Sequence, residues 1–241
     1  MNQKAIAVKN FKIPSPKEIK EKYQKPKERE DIPAWYIHRP VSKYLTHYLL
    51  RIWPTINAEY IAFSTIIWDI LTVYLIYTQH WIWAAFFTYF HVVIDSMDGE
   101  VARIQMDAGI QSRKRGIFGG FWDSMMGLIA FPFVVFATAH FMGHTIVGVF
   151  SMALFYIVVA ASAYTHVWFP ERASVSKSLQ SKIKSIGGIK ITGPISFDST
   201  SQKMLIALAL LFQTTIFLWI FMVGAVVATI ARMILYSRRY Y

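Results

Sequence analysis

Seven positions carry the residue types and spacing that could do chemistry: Asp95, Asp98, Gly99, Ala102 and Arg103, then Gly119 and Asp123. On a helix, i, i+3 and i+7 share a face, so Asp95, Asp98 and Ala102 line one side of the segment that carries them. Gly99 leaves a gap beside the carboxylates where a ligand backbone or a phosphate could approach, and Arg103 follows, placed to meet an anionic group. Gly119 and Asp123 repeat the device, a small residue one turn before a carboxylate. All three acids lie at or just inside the ends of very apolar segments, where an unpartnered carboxylate costs at least about 3 kcal/mol in a bilayer. Three at one level imply a site, and carboxylate oxygens suit a hard divalent cation such as Mg²⁺ or Mn²⁺. The plainer alternative is a set of interfacial salt bridges to Arg103, Arg113, Lys114 or Arg115. Interleaved small residues at fixed helical offsets favour the metal-site reading.

The elements that must position these residues follow from composition. The chain of 241 residues is 55% hydrophobic and only 16% charged, with 18 Phe, 13 Tyr and 8 Trp. Soluble domains carry roughly 25% charged residues. Several windows exceed about 18 apolar residues, the length that reads as a membrane span. With no cysteine there is no disulfide framework, thiolate metal site or cysteine nucleophile. The first residues lack the apolar run of a signal peptide.

Taken in order, residues 1–33 read as a basic cytoplasmic arm, partly disordered, broken by Pro14, Pro16, Pro26 and Pro33, with 17–22 as a short surface turn. Over 35–53, Trp35, Tyr36, Val41, Tyr44, Leu45, Tyr48, Leu49 and Ile52 recur at helical spacing between Arg39, Lys43, His47 and Arg51. That pattern predicts an interfacial amphipathic helix ended by Pro54. The membrane domain, 34–241, then holds spans near 58–78, 81–103, 120–142 and 145–169. A polar stretch over 170–201 follows, read as a solvated connection, and then an apolar run over 204–236. That run is long enough for two spans, with the turn at Gln213–Thr215.

Charge fixes the count. With six spans, all 25 Lys and Arg fall on one side, those of 170–203 included, and the short opposite loops around Gln79–His80 and Gly143–His144 have none. A five-span plan would strand Arg232, Arg238 and Arg239 on the wrong side. The expected fold is therefore an all-α, multi-pass integral membrane protein, six transmembrane helices preceded by an interfacial helix, with both termini cytoplasmic. The formal charge of +11 is assigned to a membrane face, with no nucleic acid as partner. At about 1.5 Å per residue, Asp123 lies about 5 Å and Asp95 about 10 Å inside the cytoplasmic end, level enough to share a metal.

Asp95-x-x-Asp98-Gly99-x-x-Ala102-Arg103 followed by Gly119-x-x-x-Asp123 resembles the signature of the CDP-alcohol phosphatidyltransferases. The interfacial helix with Arg39-Pro40, the Asn57 opening of the first span and the six-span plan are also similar to that family, over roughly residues 35–240. The resemblance implies a membrane transferase of phospholipid biosynthesis, usually a homodimer, that moves a substituted phosphate from a CDP-linked donor to an alcohol acceptor and releases CMP. It implies that Asp95, Asp98 and Asp123 hold one or two Mg²⁺ or Mn²⁺ ions bridging the donor diphosphate. Gly99, Ala102 and Gly119 would make room for the CDP, and Arg103 would flank the nucleotide pocket.

Two positions depart from the signature. Gly127 stands where the family's last aspartate would activate the acceptor hydroxyl, and the spacer over 104–118 is longer and carries Arg113-Lys114-Arg115. Three outcomes stay open: another group serves as base, metal activation alone suffices, or the chain is a relative that binds CDP-lipid or assembles with a partner without catalysis. His91, one turn before Asp95, is the first candidate for a substitute base. Asp69 lies at a similar depth, and the plainer expectation is that Asp69 and His91 satisfy each other as a buried pair between helices. Asp107 is a third candidate. A prenyltransferase would also use Asp-x-x-Asp on helices, but Gly99 with Ala102-Arg103 argues against it.

Overall fold

A computed structural model describes residues 11–24, 34–111, 129–168 and 199–237, and among them every regular element is helical. A short helix α1 (Pro16–Glu18) runs into a π-helical turn at Ile19–Tyr23. Its start is a capping box: Glu18 N–H donates to Ser15 Oγ at 3.3 Å while Ser15 N–H donates to Glu18 Oε2 at 2.8 Å. These bonds to Ser15, its backbone N–H first, lower the Glu18 pKa from its ordinary value. The segment is not only a surface turn, because Ile19 is fully buried against α4 and its neighbours.

Helix α2 (Arg39–Ile52), entered through a π-helical turn at Ala34–His38, carries Pro40 in its first turn and ends just before Pro54. Ser42, Thr46 and Leu50 face inward, whereas Tyr44, Tyr48 and Ile52 are exposed. Helix α3 (Ala58–Tyr77) opens on Asn57, whose Oδ1 accepts from Glu59 N–H at 3.2 Å. A turn with Gln79 in the left-handed region joins it to α4 (Trp81–Asp107), which Gly109, at φ 69°, terminates. Helices α5 (Phe131–Phe141), α6 (Thr145–Trp168), α7 (Ser199–Phe212) and α8 (Ile216–Ser237) complete the described chain. The turn between α7 and α8 falls at Gln213, φ 50°, inside the stretch where the sequence expects it.

Helix α4 is the central element and packs against α2, α3 and α7. Two apolar clusters flank it. One joins Ile19, Leu50, Ile61, Val93, Met97 and Val101, and the other joins Ile76, Ala84, Phe131, Phe155, Leu210 and Phe221. Gly148 lets α6 come close to α5, since a Cβ there would lie 3.0 Å from the Phe136 carbonyl oxygen.

The polarity of α3 is inverted relative to a helix on a water-soluble domain. Thr65, Asp69 and Thr72 are buried, whereas Tyr60, Phe63, Ile67, Ile70, Tyr74 and Tyr77 are exposed. The threonines settle their hydroxyls on their own helix, Thr65 onto Ala62 O at 2.6 Å and Thr72 onto Trp68 O at 2.8 Å. Among the described residues, α3 is the one helix long and apolar enough to cross a membrane, and shorter apolar helical stretches lie at Phe131–Phe141, Thr145–Ile157, Thr200–Phe212 and Ile216–Val227.

Candidate functional site

The two acids of α4 stand one turn apart. Asp98 is buried, and the Asp95 side chain is 25% exposed. Their donor chemistry, hard oxygens on one helix face, fits a divalent cation. Among the described residues no three His, Asp or Glu side chains form a group that could hold a metal ion. The third expected ligand, Asp123, lies outside the described residues, as do Gly119, Gly127 and the Arg113-Lys114-Arg115 run.

Gly99 does leave space, and Arg103 uses it. A Cβ on Gly99 would lie 3.1 Å from Arg103 Nη1, so the guanidinium folds back over the glycine one turn earlier. Arg103 Nε donates to the carbonyl oxygen of Tyr23, so the N-terminal segment holds the guanidinium from the other side. The Tyr23 hydroxyl in turn donates to Asp107 Oδ2 at 2.7 Å. Burial first, and then the Asp107 hydrogen bond and charge, push the Tyr23 pKa up from 10.0 to about 12. Ala102, the second of the three small-residue positions, packs at the edge of the apolar cluster that holds Ile19 and Val101.

Behind Asp95 lies a buried polar chain drawn from three helices. His91 Nδ1 and Asp69 Oδ1 are 2.6 Å apart, and His91 Nε2 lies 2.6 Å from Lys203 Nζ. Lys203 Nζ is 3.8 Å from Asp95 Oδ2 and sits over the Phe131 ring, 5.5 Å from its centroid. An ammonium can only donate, so the arrangement sets Nε2 as acceptor and puts the imidazole proton on Nδ1, facing Asp69. The Asp69–His91 pair expected from depth is thus present, and both ring nitrogens are engaged. His91 can serve as base to a substrate only if Lys203 withdraws from Nε2. The second carboxylate oxygen, Asp69 Oδ2, is buried without a hydrogen-bond partner among the described residues.

Sequence reasoning missed Lys203 because Ser199–Lys203 reads as the tail of a polar loop. The helix is already under way at Ser199, which carries Lys203 inward to a 4% exposed position. It also missed Glu100, an unspecified position of the signature. This carboxylate is fully buried on another face of α4 and gathers four donors. Gln24 Nε2 at 2.9 Å, Arg39 Nη1 at 3.2 Å and Ser42 Oγ at 2.6 Å meet Oε1, while Thr46 Oγ1 meets Oε2 at 2.7 Å. The one sequence signal was an acid at an inward helical position opposite Arg39, Ser42 and Thr46, spaced to share a face of α2.

The motif helix therefore divides its acids between two tasks. Glu100 docks α2 and the N-terminal segment, and Asp95 meets Lys203 of α7. No family model matches the chain, and a search of curated proteins found no match.

Proposed function

We propose that this chain is an integral membrane CDP-alcohol phosphotransferase, which moves a substituted phosphate from a CDP-linked donor to an alcohol with release of CMP. The observation that carries the reading is the face of α4 on which Asp95 and Asp98 stand in a D-x-x-D-G-x-x-A-R run, with Arg103 one turn beyond. The inverted polarity of α3 supports the membrane setting: bulky apolar side chains outward, Asp69 and two threonines inward. Six spans, with both termini cytoplasmic, are proposed from the distribution of Lys and Arg along the sequence. The same resemblance implies a homodimer.

On this reading Asp95, Asp98 and Asp123 hold Mg²⁺ or Mn²⁺, which supplies charge neutralisation at the diphosphate. Arg103 adds a fixed guanidinium beside the nucleotide, aimed by the Tyr23 carbonyl. Gly99 serves first to seat that guanidinium and only then to admit ligand. Gly127 brings no carboxylate to the signature, and His91, held in the polar chain with Asp69 and Lys203, would be the substitute base.

The second reading, a relative that binds CDP-lipid or a partner without turnover, is favoured by one observation. His91 has both nitrogens occupied, so the substitute base is masked as the chain stands. One assay separates the two. Purified protein with Mg²⁺ or Mn²⁺, a panel of CDP-linked donors and a panel of alcohols releases CMP on the first reading. Donor binding with no CMP from any pair establishes the second, and neither binding nor release removes both.

A further inference from the structure

Where the N-terminal segment lies over the last turn of α4 there is a cavity of about 300 Å³ that none of the roles above uses. Phe11, Lys12, Pro14 and Tyr23 line it from the segment, Ile104 and Asp107 from the helix. Cavities that hold small ligands begin at about 300 Å³. The walls are held in place from behind. Phe11 and Tyr23 pack on the apolar cluster that contains Ile104, and His47 Nδ1 donates to the Pro14 carbonyl oxygen at 2.9 Å, tying the segment to α2. Two exposed charges of opposite sign, Lys12 and Asp107, face this one space without pairing with each other. The Tyr23 hydroxyl donates to Asp107 Oδ2 at 2.7 Å, which orients the carboxylate and leaves its charge in place. Glu18 also feels the Lys12 charge, but its carboxylate is engaged with Ser15 in the capping box.

We propose that this cavity binds the headgroup of a zwitterionic phospholipid, with the ammonium on Asp107 and the phosphate on Lys12. The reason is charge matching. A simple cation drawn to Asp107 is repelled by Lys12, and a simple anion drawn to Lys12 is repelled by Asp107. A ligand with one charge of each sign satisfies both, and each contact is a charge-assisted hydrogen bond. The C-terminus of α4, the negative end of its dipole, adds attraction for the ammonium. The aromatic and aliphatic walls of Phe11, Tyr23 and Ile104 suit the methylene groups between the two charges. At 1.5 Å per residue Asp107 lies about 18 Å along α4 from Asp95, so the cavity is separate from the acids of the signature. The ionic match does not depend on the transferase reading. The choice of a lipid over a soluble zwitterion rests on the membrane setting proposed above, which puts this end of α4 at the cytoplasmic headgroups.

The test titrates the purified full-length chain in detergent with dihexanoyl phosphatidylethanolamine, followed by calorimetry. Dihexanoyl phosphatidylglycerol, which has the phosphate but no ammonium, is the comparison. The natural chain binds the ethanolamine lipid about fivefold or more tighter than the glycerol lipid. Asp107→Asn removes that preference and leaves the glycerol lipid bound at least as tightly. Lys12→Gln weakens both lipids, because both present the phosphate. Both side chains are exposed, so the two variants leave the fold intact. No preference in the natural chain, or a preference that survives Asp107→Asn, overturns the site. Glycerophosphoethanolamine, the same headgroup without acyl chains, binds more weakly than the lipid; equal binding overturns the lipid as occupant. CMP release is scored in the separate assay above, so failure of this site and failure of the transferase reading are told apart.

Discussion

Arg39 Nη1 lies 3.2 Å from Glu100 Oε1, and the pair joins the helix before the first long apolar helix to the helix that carries the signature. Both side chains are almost wholly removed from solvent, and Arg39 Nη1 also reaches the Ser96 carbonyl oxygen at 3.3 Å. Any tilt of α2 is therefore felt within one turn of Asp98.

Truncating Glu100 leaves Arg39, Gln24, Ser42 and Thr46 facing a space with no acceptor. Breaking a buried pair in this way costs about 3–5 kcal/mol. Glu100→Ala should lower the thermal midpoint in detergent and speed proteolysis on the N-terminal side of Arg39, whereas Glu100→Gln should lose less because it keeps the shape. Equal midpoints for all three proteins would mean that this junction contributes nothing.

Asp98 is the buried member of the acid pair on α4. Asp98→Asn keeps its volume but removes a hard anionic donor. Divalent-dependent binding of a CDP-linked donor should be abolished in a calorimetric titration while helical content is retained. Binding that persists at natural affinity would take the metal role away from Asp98.

Gly127→Asp restores the one acid that the signature has and this chain lacks. On the transferase reading it raises CMP release by about 10²-fold or more, the scale of general-base assistance. No gain, in a variant that still binds donor, would show that the base is supplied elsewhere or not at all.

Tyr23 gives a pH signature for the N-terminal segment. Its pKa is raised on folding, from 10.0 to about 12, so the folded state prefers the protonated phenol. Stability from this group is complete below pH 10 and is lost as pH climbs from about 10 to 12. Protease sensitivity of the segment ahead of Arg39 should rise over that window and fall back on return to neutral pH. In Tyr23→Phe the step should vanish; a step of the same size in that variant would assign it to another group.

Much of the fold was legible because its punctuation is local. Pro54 and Asn57 bound α2 and α3, and Gln79 and Gln213 turn where short polar breaks interrupt apolar runs. The facing of Asp95 and Asp98 follows from helical period alone. The partners of the neighbouring residues do not. Arg103 meets a carbonyl 80 positions away, and Lys203 meets an imidazole 112 positions away. No periodicity announces such contacts, since each depends on which helices become neighbours. Glu100 was invisible for a related reason: its signal is shared among Gln24, Arg39, Ser42 and Thr46, none of which is unusual by itself.

The order of synthesis gives the Asp69–His91–Lys203 chain a consequence of its own. Asp69 and His91 are 22 positions apart on the two arms of one hairpin, so they can find each other as soon as α4 has left the ribosome. Lys203 follows His91 only after 112 residues, with α5 and α6 made in between. The imidazole must therefore wait, half satisfied, through the production of two more helices. A chain that stops before α7 lacks the amine that this imidazole accepts from, so the last link of the polar chain closes only when the seventh helix docks.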